Sequence, residues 1–394
     1  MTTQRNNEWE DKTPTPTSNP NSHVTVIPDP DDPDMVIIRT RKKKRKKRTP
    51  SHHKMSRGAR IAIIIVAVVV GLLAAAGIAL AIAVNMGNVN LHQVFSGSDT
   101  ENMPTEAKAQ DEGQIVEYKG HTYRYNDNIV AVMLIGHDDE TGYAIRPDAS
   151  CADANALITI DTSTNKTRVT VIPRNSWVPV DIYDGSDHYV ETRNLQLTLA
   201  HAVKLDTIDE CAANTTKSVQ RIFYGLPITY YVDFDQEVVK EASRAVGGVP
   251  VVALETIPGQ DYVEGDSIIL EGEAAYRYVQ YRDVPTFESA LDRQERQVQF
   301  VKAFMSKAAS LGAQGLLNLY NSMSGDITTN LGAPEVAYLI SCFVTGEKGG
   351  VDISTIKGTT EVYVESNGIE YERYFLDEES VMENTLAAFY TQVD

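Results

Sequence analysis

The stretch NALITIDTSTNKTRVTVIPRN, residues 155–175, decides the fold class of this 394-residue chain. It contains two runs rich in β-branched and apolar residues, NALITID and TRVTVIP, on either side of the polar segment TSTNK. Such residues favour strands, and a short polar segment between two such runs is typical of a hairpin. We therefore predict two antiparallel strands that end near Pro173, with Arg174 placed where the chain leaves the sheet.

Strand and helix patterns alternate on both sides of this hairpin. NIVAVMLIG is a continuous apolar run of the kind found in buried strands, and PITYYVDFD is a further strand. Helical spacing occurs in NLQLTLAHAVK, TTKSVQRIFYG, QEVVKEASRAVGG, GEAAYRYVQYRD and LDRQERQVQFVKAFMSKAA, and two β-rich segments, TEVYVES and IEYERYFLD, precede a last helix. This alternation, without a linker-like break, predicts one α/β domain with a central mixed β-sheet flanked by helices.

The first 84 residues carry the pattern of a membrane anchor. Residues 1–60 are rich in proline and charge and are expected to be disordered. Residues 61–84 are apolar without one charge, and 24 residues at about 1.5 Å each span roughly 36 Å, enough for a bilayer core. A cleaved signal peptide is the alternative, but its apolar region is shorter and lies nearer the N-terminus. We predict one uncleaved transmembrane helix.

Charge predicts the orientation of this anchor and excludes one class of partner. The block RTRKKKRKKR, residues 39–48, precedes the apolar run and places the N-terminal tail in the cytoplasm by the positive-inside rule. Residues 85–127 are then expected to form an extracytoplasmic stalk, and 128–394 the folded domain. The chain beyond residue 60 has 22 basic and 47 acidic residues, a net charge of −25, which argues against nucleic acid as a partner.

Several charged residues lie at predicted strand ends, where ligands of open α/β sheets gather. Asp138 follows NIVAVMLIG, Asp153 precedes NALITID, and Arg174 follows TRVTVIP. The guanidinium group of arginine matches phosphate oxygens in pairs, and carboxylates are preferred ligands of Mg²⁺. These positions predict a phosphate site in which Asp138 and Asp153 hold a magnesium ion.

A second group of polar residues surrounds the start of a predicted helix. Arg293, Arg296 and Gln297 have the spacing i, i+3, i+4 and share one side of that helix, whose N-terminus itself favours anions. Arg282 in YVQYRD lies shortly before it. These residues extend the predicted phosphate site. The competing interpretation is that all of them are solvated charges or local ion pairs, and spacing alone does not decide between the two.

Five segments carry a resemblance to a known family. They follow in the order and spacing of the LytR-CpsA-Psr (LCP) proteins: NIVAVMLIGHDDE, ADANALITIDTSTNKTRVTVIPRNSWV, VQRIFYGLPITYYVDFDQEVVKEASRAVGGVPV, LEGEAAYRYVQYRD and DRQERQVQFVKAF. The resemblance runs from about Asn128 to Lys307, and the rest of the C-terminal part looks like the longer members. A cytoplasmic tail, one anchor and an external catalytic domain is also the layout of that family.

This resemblance implies a Mg²⁺-dependent phosphotransferase of cell-wall assembly, located at the cell membrane. It would move a glycopolymer from a polyprenyl-pyrophosphate carrier to peptidoglycan, with the lipid tail in an apolar pocket. By motif, Asp138 and Asp153 lie near the metal. The arginines and the glutamine of the family motifs correspond to Arg174, Arg282, Arg293, Arg296 and Gln297, which would bind the pyrophosphate. Arg174, Asp138, Asp153 and Arg282 are the expected catalytic residues.

Departures from the family pattern leave alternatives open. The family usually has arginine at Cys151 and Gln280, often at Glu140, and aspartate at Asn175 and Ala290. The chain is then an active transferase, a weakened one, one tuned to another carrier or polymer, or a relative that only binds polyprenyl phosphate or wall polymer. Because such proteins have been named transcriptional attenuators, an envelope-linked regulator is a further alternative. We expect at least residual transferase activity, because Asp138, Asp153, Arg174, Arg282 and Arg293 are all present.

Histidines and cysteines carry weaker signals. His121, His137, His188 and His201 lack metal-ligand spacing, so a structural role is expected for at least three of them, and His137, next to Asp138, is the candidate for a ligand contact. The three cysteines, Cys151, Cys211 and Cys342, allow either one disulfide with one thiol or three thiols.

Overall fold

The structure is a computed structural model, and it describes residues 23–29, 32–41, 91, 95–137, 150–184, 186–203, 207–283, 285–346, 351–365 and 368–394. Two units are separate in it, residues 1–55 and 56–394. The predicted anchor, 61–84, lies outside the described residues, as do Asp138 and Glu140. Within the described part of the chain, no helix has the length and hydrophobicity needed to cross a membrane.

The N-terminal unit contains a two-stranded antiparallel hairpin. Its strands are β1 (His23–Asp29) and β2 (Asp32–Arg41), with Val26 opposite Ile38. This differs from the expectation that residues 1–60 are disordered throughout. The β-branched residues of VTVI and VII favour strands. For the rest of the tail, disorder stays a prediction.

A six-stranded mixed sheet forms the centre of the larger unit. Its strands are β6 (Ile129–His137), β7 (Ala152–Asp161), β8 (Lys166–Ile172), β11 (Tyr230–Phe234), β14 (Ile327–Thr329) and β15 (Asp352–Thr355). They lie in the order β14-β11-β6-β7-β8-β15. The pairs β6/β7 and β7/β8 are antiparallel, while β6/β11 and β8/β15 are parallel. The central mixed sheet and the 155–172 hairpin predicted from the sequence are confirmed.

Strand β6 separates two hydrophobic cores. Val130, Val132 and Leu134 belong to one core, and Met133 and Ile135 to the other. Alternate residues of a strand point to opposite faces, so a strand buried on both faces requires the continuous apolar run seen in the sequence.

Seven helices of the described chain cover the two faces of the sheet. They are α1 (Ile208–Ile222), α2 (Gln236–Ala245), α3 (Glu273–Gln280), α4 (Ser289–Ala309), α5 (Gly312–Met323), α6 (Ala333–Thr345) and α7 (Glu378–Phe389). Helices α2 to α6 contribute to the core that contains Val132, and α1 and α7 to the core that contains Met133. Helices on both sides of a sheet define an α/β architecture.

Three two-stranded pairs also belong to the larger unit. Their strands are β9 (Trp177–Tyr183) with β10 (Tyr189–Gln196), β12 (Val249–Val252) with β13 (Ser267–Leu270), and β16 (Gly358–Val364) with β17 (Glu370–Leu376). The last pair confirms the β-rich C-terminal part. The helix predicted for NLQLTLAHAVK is wrong, since Asn194–Gln196 end β10 and a 3₁₀ turn, Leu197–Ala200, follows. Pairing with β9 outweighs the local helical spacing there.

The predicted stalk, 85–127, requires a correction over its second half. Three strands, β3 (Lys108–Gln110), β4 (Ile115–Tyr118) and β5 (His121–Tyr125), form a sheet with the C-terminal strand β18 (Tyr390–Gln392). Val116 and Tyr118 are buried, and the Tyr390 hydroxyl donates to the Gly113 carbonyl at 2.7 Å. These residues belong to the folded domain. Their short strands are polar on one side, which is why composition suggested a stalk.

Candidate active site

Asp153 and Arg174 meet at one edge of the central sheet. Asp153 is the second residue of β7, and Arg174 follows the end of β8. Because these strands are antiparallel, with Asn155 opposite Ile172, the start of β7 and the end of β8 lie side by side. One terminal nitrogen of Arg174 forms an ion pair with Oδ1 of Asp153. Arg174 thus directs its guanidinium group along the sheet edge and not into solvent, with 17% of the side chain exposed.

Helix α4 brings a second arginine to the same carboxylate. Nη1 of Arg293 lies 3.6 Å from Oδ2 of Asp153, and both side chains are buried, with 3% and 1% exposed. Thr198 also donates from its hydroxyl to Oδ1 of Asp153 at 3.3 Å. Two guanidinium groups next to one carboxylate leave an excess positive charge in this cluster. Such an excess suits an anion with more than one negative charge, such as a pyrophosphate.

Two atoms of this cluster have unused hydrogen-bonding capacity. Within the described residues, Oδ2 of Asp153 and Nε of Arg174 are buried without a hydrogen-bond partner. Buried polar atoms normally have partners, so exceptions often mark a place where a ligand or ion binds. A buried carboxylate oxygen with unused lone pairs is a suitable ligand for Mg²⁺, so Asp153 fits the predicted metal role. Asp138, the other predicted ligand, lies outside the described residues.

A second cluster surrounds Glu372 of β17. Its Oε2 accepts a hydrogen bond from Nδ2 of Asn175 at 3.1 Å and lies 3.6 Å from Nη2 of Arg282. Its Oε1 accepts from the backbone N–H of Glu288, the residue before α4, at 2.8 Å. Arg282 in turn donates from Nε to the Ser289 hydroxyl at 2.9 Å. Glu372 therefore ties the 174–176 turn, Arg282 and the start of α4 together.

A small cavity joins the two clusters. It has a volume of ≈ 10 Å³ and lies between the turn after β8, the first turns of α4 and the β16/β17 hairpin. Arg174, Asn175 and Glu372 line it, together with Gln294 and Tyr374. The backbone N–H of Tyr374 donates to the Asn175 carbonyl at 2.9 Å, so the hairpin is attached to the turn that carries Arg174. A group of about the size of a water molecule or a hydroxyl at this place can contact one arginine and one carboxylate at the same time.

Arg296 and Gln297 are placed away from the ion pair of Asp153, at the end of α3. Arg296 donates from Nε to the Tyr278 carbonyl at 2.9 Å and from Nη2 to the Tyr281 carbonyl, and it pairs with Glu255. Gln297 donates to the Val279 carbonyl at 3.3 Å. The last carbonyls of a helix lack partners within the helix, and these two side chains satisfy them. The role predicted for them in pyrophosphate binding stays a prediction.

Burial changes the acid–base behaviour of Arg296 only moderately. Desolvation lowers the pKa of Arg296 to about 10. That value is well above neutrality, so the guanidinium group keeps its charge while it holds the end of α3.

A third polar cluster, which the sequence did not predict, lies near the ends of strands β6 and β11. The carboxylate of Asp233 on β11 contacts Nδ1 of His137 at 2.6 Å and Nε2 of His201 at 2.7 Å. Strand β11 runs parallel to β6, so Asp233 and His137 lie near the same ends of neighbouring strands. His201 follows the 3₁₀ turn after β10, and its Nδ1 lies 2.9 Å from the Ser150 carbonyl oxygen. No regular spacing in sequence connects these residues.

These two imidazoles and one carboxylate have the donor types of a metal site, with ligand atoms within 4.8 Å of one another. The imidazole rings are stacked, with centroids 5.2 Å apart and planes at 12°. An imidazole binds a metal through a lone pair in its ring plane, and two nearly parallel planes do not meet at one ion. We therefore interpret the cluster as hydrogen-bonded. Burial raises the pKa of Asp233, but His201 and His137 outweigh that effect and lower it to about 2.

Fold and site together define a class of protein. It is an α/β domain with arginines and one buried carboxylate gathered at a sheet edge, an arrangement suited to phosphate chemistry. The LytR_cpsA_psr family model matches residues 91–388, and the chain belongs to this family. The match begins well before residue 128, which agrees with the inclusion of strands β3 to β5 in the folded domain.

Sequence relatives carry the names of transferases. The chain is 26% identical over 205 residues to "Polyisoprenyl-teichoic acid--peptidoglycan teichoic acid transferase TagU" of Bacillus cereus (strain AH820). The alignment covers 51% of this chain and 60% of that relative, so the chain spans less than two thirds of the length of that protein. A protein of the same name from Bacillus subtilis (strain 168) is 23% identical over 261 residues, 65% of this chain and 75% of the relative.

Solved structures share the fold. The crystal structure of B. subtilis TagV aligns with a TM-score of 0.50 at 18% identity, over 66% of this chain and 95% of that one. The structure of protein gbs0355 from Streptococcus agalactiae aligns with a TM-score of 0.52 at 19% identity, over 66% and 86%. At this identity the likeness concerns the fold alone.

Proposed function

We propose that this protein transfers a glycopolymer from a polyprenyl-pyrophosphate carrier to peptidoglycan. The observation that carries the proposal is the cluster of Arg174, Arg293 and Asp153 at the sheet edge, with its buried and unused polar atoms. Membership of the LytR_cpsA_psr family and the transferase names of the sequence relatives support it. The proposed ligand, a pyrophosphate, has the multiple negative charges that the two guanidinium groups require.

Arg174 and Arg293 have a defined task in this proposal. During transfer, negative charge builds up on the departing polyprenyl phosphate, and arginines fixed in advance stabilise that charge without reorganising. The low exposure of both arginine side chains strengthens the interaction, because water screens buried charges less. Arg282, held by Ser289 and Glu372, provides a further positive group next to the cavity.

The proposal includes a divalent cation as cofactor. Asp153 and Asp138 would hold Mg²⁺, which neutralises phosphate charge when bound. The unused lone pairs on Oδ2 of Asp153 support this assignment. We also propose that residues 61–84 anchor the chain in the cell membrane with the folded domain outside the cytoplasm, supported by the uncharged apolar run and the basic block before it.

Reduced activity, or binding without transfer, is the second candidate function. Asn175 favours it, because the family has a carboxylate at that position and an amide cannot take up a proton. Gln280, which replaces a usual arginine, is buried at the end of α3. Loss of one charge-assisted contact at a transition state lowers rates by about 10²–10³-fold in comparable sites.

Turnover by the purified full-length chain separates the two candidates. The chain is incubated in detergent with a polyprenyl-pyrophosphate glycan, peptidoglycan fragments and Mg²⁺, and both the transferred glycan and the released polyprenyl phosphate are quantified. Transfer that stops when EDTA is added and resumes with Mg²⁺ is expected. Stoichiometric binding of the lipid with no product at any metal concentration would establish the binding function and reject the transferase.

A further inference from the structure

Glu372 places a carboxylate at the cavity, next to the turn that carries Arg174. The residue after Arg174 is Asn175, whose amide cannot take up a proton. Nδ2 of Asn175 donates to Oε2 of Glu372 at 3.1 Å. The amide orientation follows from the chemistry, since an ionised carboxylate can only accept. The negative charge next to this turn therefore lies on Glu372, one hydrogen bond away on a different segment of the chain.

Asn175 and Glu372 form a matched pair. With aspartate at position 175, two carboxylates would lie about 3 Å apart, and like charges at that distance resist joint ionisation. With asparagine, the amide supports the ionised form of Glu372 by donating to it. Glu372 on strand β17 is the one acidic side chain among the residues that line the cavity.

Contacts from two other segments hold the Glu372 side chain in one orientation, and a third holds its backbone. The N–H of Glu288 reaches Oε1 at 2.8 Å, and Arg282 lies 3.6 Å from Oε2. Gln196 donates to the Glu372 backbone carbonyl at 2.6 Å. A carboxylate offers about four acceptor positions, so these contacts leave capacity for one more donor. The side chain is 13% exposed and lines the cavity that Arg174 also lines.

We propose that Glu372 is the general base of the transfer reaction. The inference rests on the proposed transferase function. The acceptor hydroxyl gives its proton to the carboxylate of Glu372 while its oxygen forms a bond to the phosphorus that carries the glycan. The bond from that phosphorus to the bridging oxygen breaks, and the electron pair leaves with polyprenyl phosphate, next to Arg174 and Arg293. Glu372 then releases the proton to water.

Four proteins test this assignment: the native chain, Glu372→Gln, the double variant Asn175→Asp/Glu372→Gln, and Glu370→Gln. Glu370 lies two residues earlier on β17 and is exposed, so it is a matched control for the same substitution. Transfer rates are measured from pH 4.5 to 9, and donor-lipid binding and thermal unfolding are measured separately.

Loss of the base predicts a specific set of results. Glu372→Gln lowers kcat by at least about 100-fold, the usual contribution of a general base, and abolishes the acidic limb of the kcat/KM profile. Donor-lipid affinity and the unfolding temperature stay near native values, because glutamine keeps the shape, its carbonyl oxygen still accepts from the Glu288 N–H, and the Asn175 amide can rotate to accept from the new NH2 group. The double variant regains at least about tenfold in kcat, since it returns a carboxylate to the cavity. Glu370→Gln behaves as the native chain.

Other outcomes reject the assignment, and they differ from a failure of the transferase function. If the native chain transfers glycan and Glu372→Gln does so with the same rate and pH profile, Glu372 is not the base, and the transferase function stands. If Glu372→Gln loses donor binding in parallel with activity, and the double variant folds without rescue, Glu372 only positions Arg282. If the native chain transfers nothing, both proposals are rejected together.

Discussion

Arg293 of α4 and Asp153 of β7 form a buried ion pair, with 3.6 Å between Nη1 and Oδ2. The pair joins the helix that follows Arg282 to the edge of the central sheet. Because Arg174 contacts the other oxygen of the same carboxylate, Asp153 holds both arginines at the sheet edge. The stability of the sheet edge and the geometry of the proposed phosphate site therefore depend on one side chain.

Asp153→Asn should destabilise the folded domain. The substitution removes the negative charge between two arginines that are mostly buried, and removal of one member of a buried ion pair costs about 3 kcal/mol or more. Urea unfolding followed by circular dichroism measures the change. Asp352→Asn, which breaks the exposed pair of Asp352 with Arg168, is the control and should change stability by less than about 1 kcal/mol. Equal effects of the two substitutions would contradict this account.

Arg174→Ala should lower glycan transfer at least about tenfold, since one guanidinium group is lost from the proposed leaving-group site. Arg174→Lys keeps the charge without the planar fork and should regain only part of the rate. Arg124→Ala, an exposed substitution on β5, is the control. Initial rates at saturating donor lipid measure the effect, and full activity of Arg174→Ala would remove Arg174 from the mechanism.

Arg296→Ala should affect stability more than chemistry, in contrast to Arg293→Ala. Arg296 satisfies the carbonyls of Tyr278 and Tyr281 and pairs with Glu255, so its loss leaves buried acceptors unsatisfied at a cost of about 3 kcal/mol. Arg277→Ala, which breaks the exposed pair with Glu273, is the control and should cost less than about 1 kcal/mol. An Arg296→Ala protein of native stability without donor binding would instead support the role in pyrophosphate binding.

Local patterns in the sequence predicted the elements that carry the site. The two β-branched and apolar runs on either side of TSTNK predicted the β7/β8 hairpin, and the helical spacing of LDRQERQVQFVKAFMSKAA predicted α4. Both patterns repeat within a few residues, which is the range over which strand and helix periodicity operates. The start of α4 differs from the predicted start. The helix begins at Ser289, so Arg293 lies in its second turn and not in its first.

Contacts between distant segments were not predictable from one sequence. Glu372 on β17 accepts a hydrogen bond from Asn175, which lies in the turn after β8. Asp233 contacts two histidines from separate elements. No spacing rule relates such residues. The spacing of Arg296 relative to Arg293 also did not predict what Arg296 binds. A side chain on that side of the helix can contact either a ligand or the carbonyls of a neighbouring helix.

Acid should weaken the folded domain through Asp233. Its pKa is lowered from 3.8 to about 2 in the folded state, so the ionised form stabilises folding above pH 4. That contribution, about 2 kcal/mol, disappears as the pH falls through 4 toward 2, because protons then bind the unfolded chain first. Urea midpoints at pH 5, 4 and 3 measure the slope. In Asp233→Asn the slope should be smaller, and an unchanged slope would assign the acid sensitivity to other carboxylates.

Removal of residues 85–127 should prevent folding, although composition alone suggests a stalk. The segment contributes the buried side chains of Val116, Tyr118 and Tyr125, and Tyr125 packs edge-to-face on Tyr390 at 5.8 Å. Burial of three such side chains contributes about 6 kcal/mol, comparable with the whole stability of many domains. We expect a chain of residues 85–394 to unfold cooperatively in urea and a chain of residues 128–394 to be insoluble or to show no cooperative transition. Equal stability of the two chains would instead support the predicted start of the folded domain at residue 128.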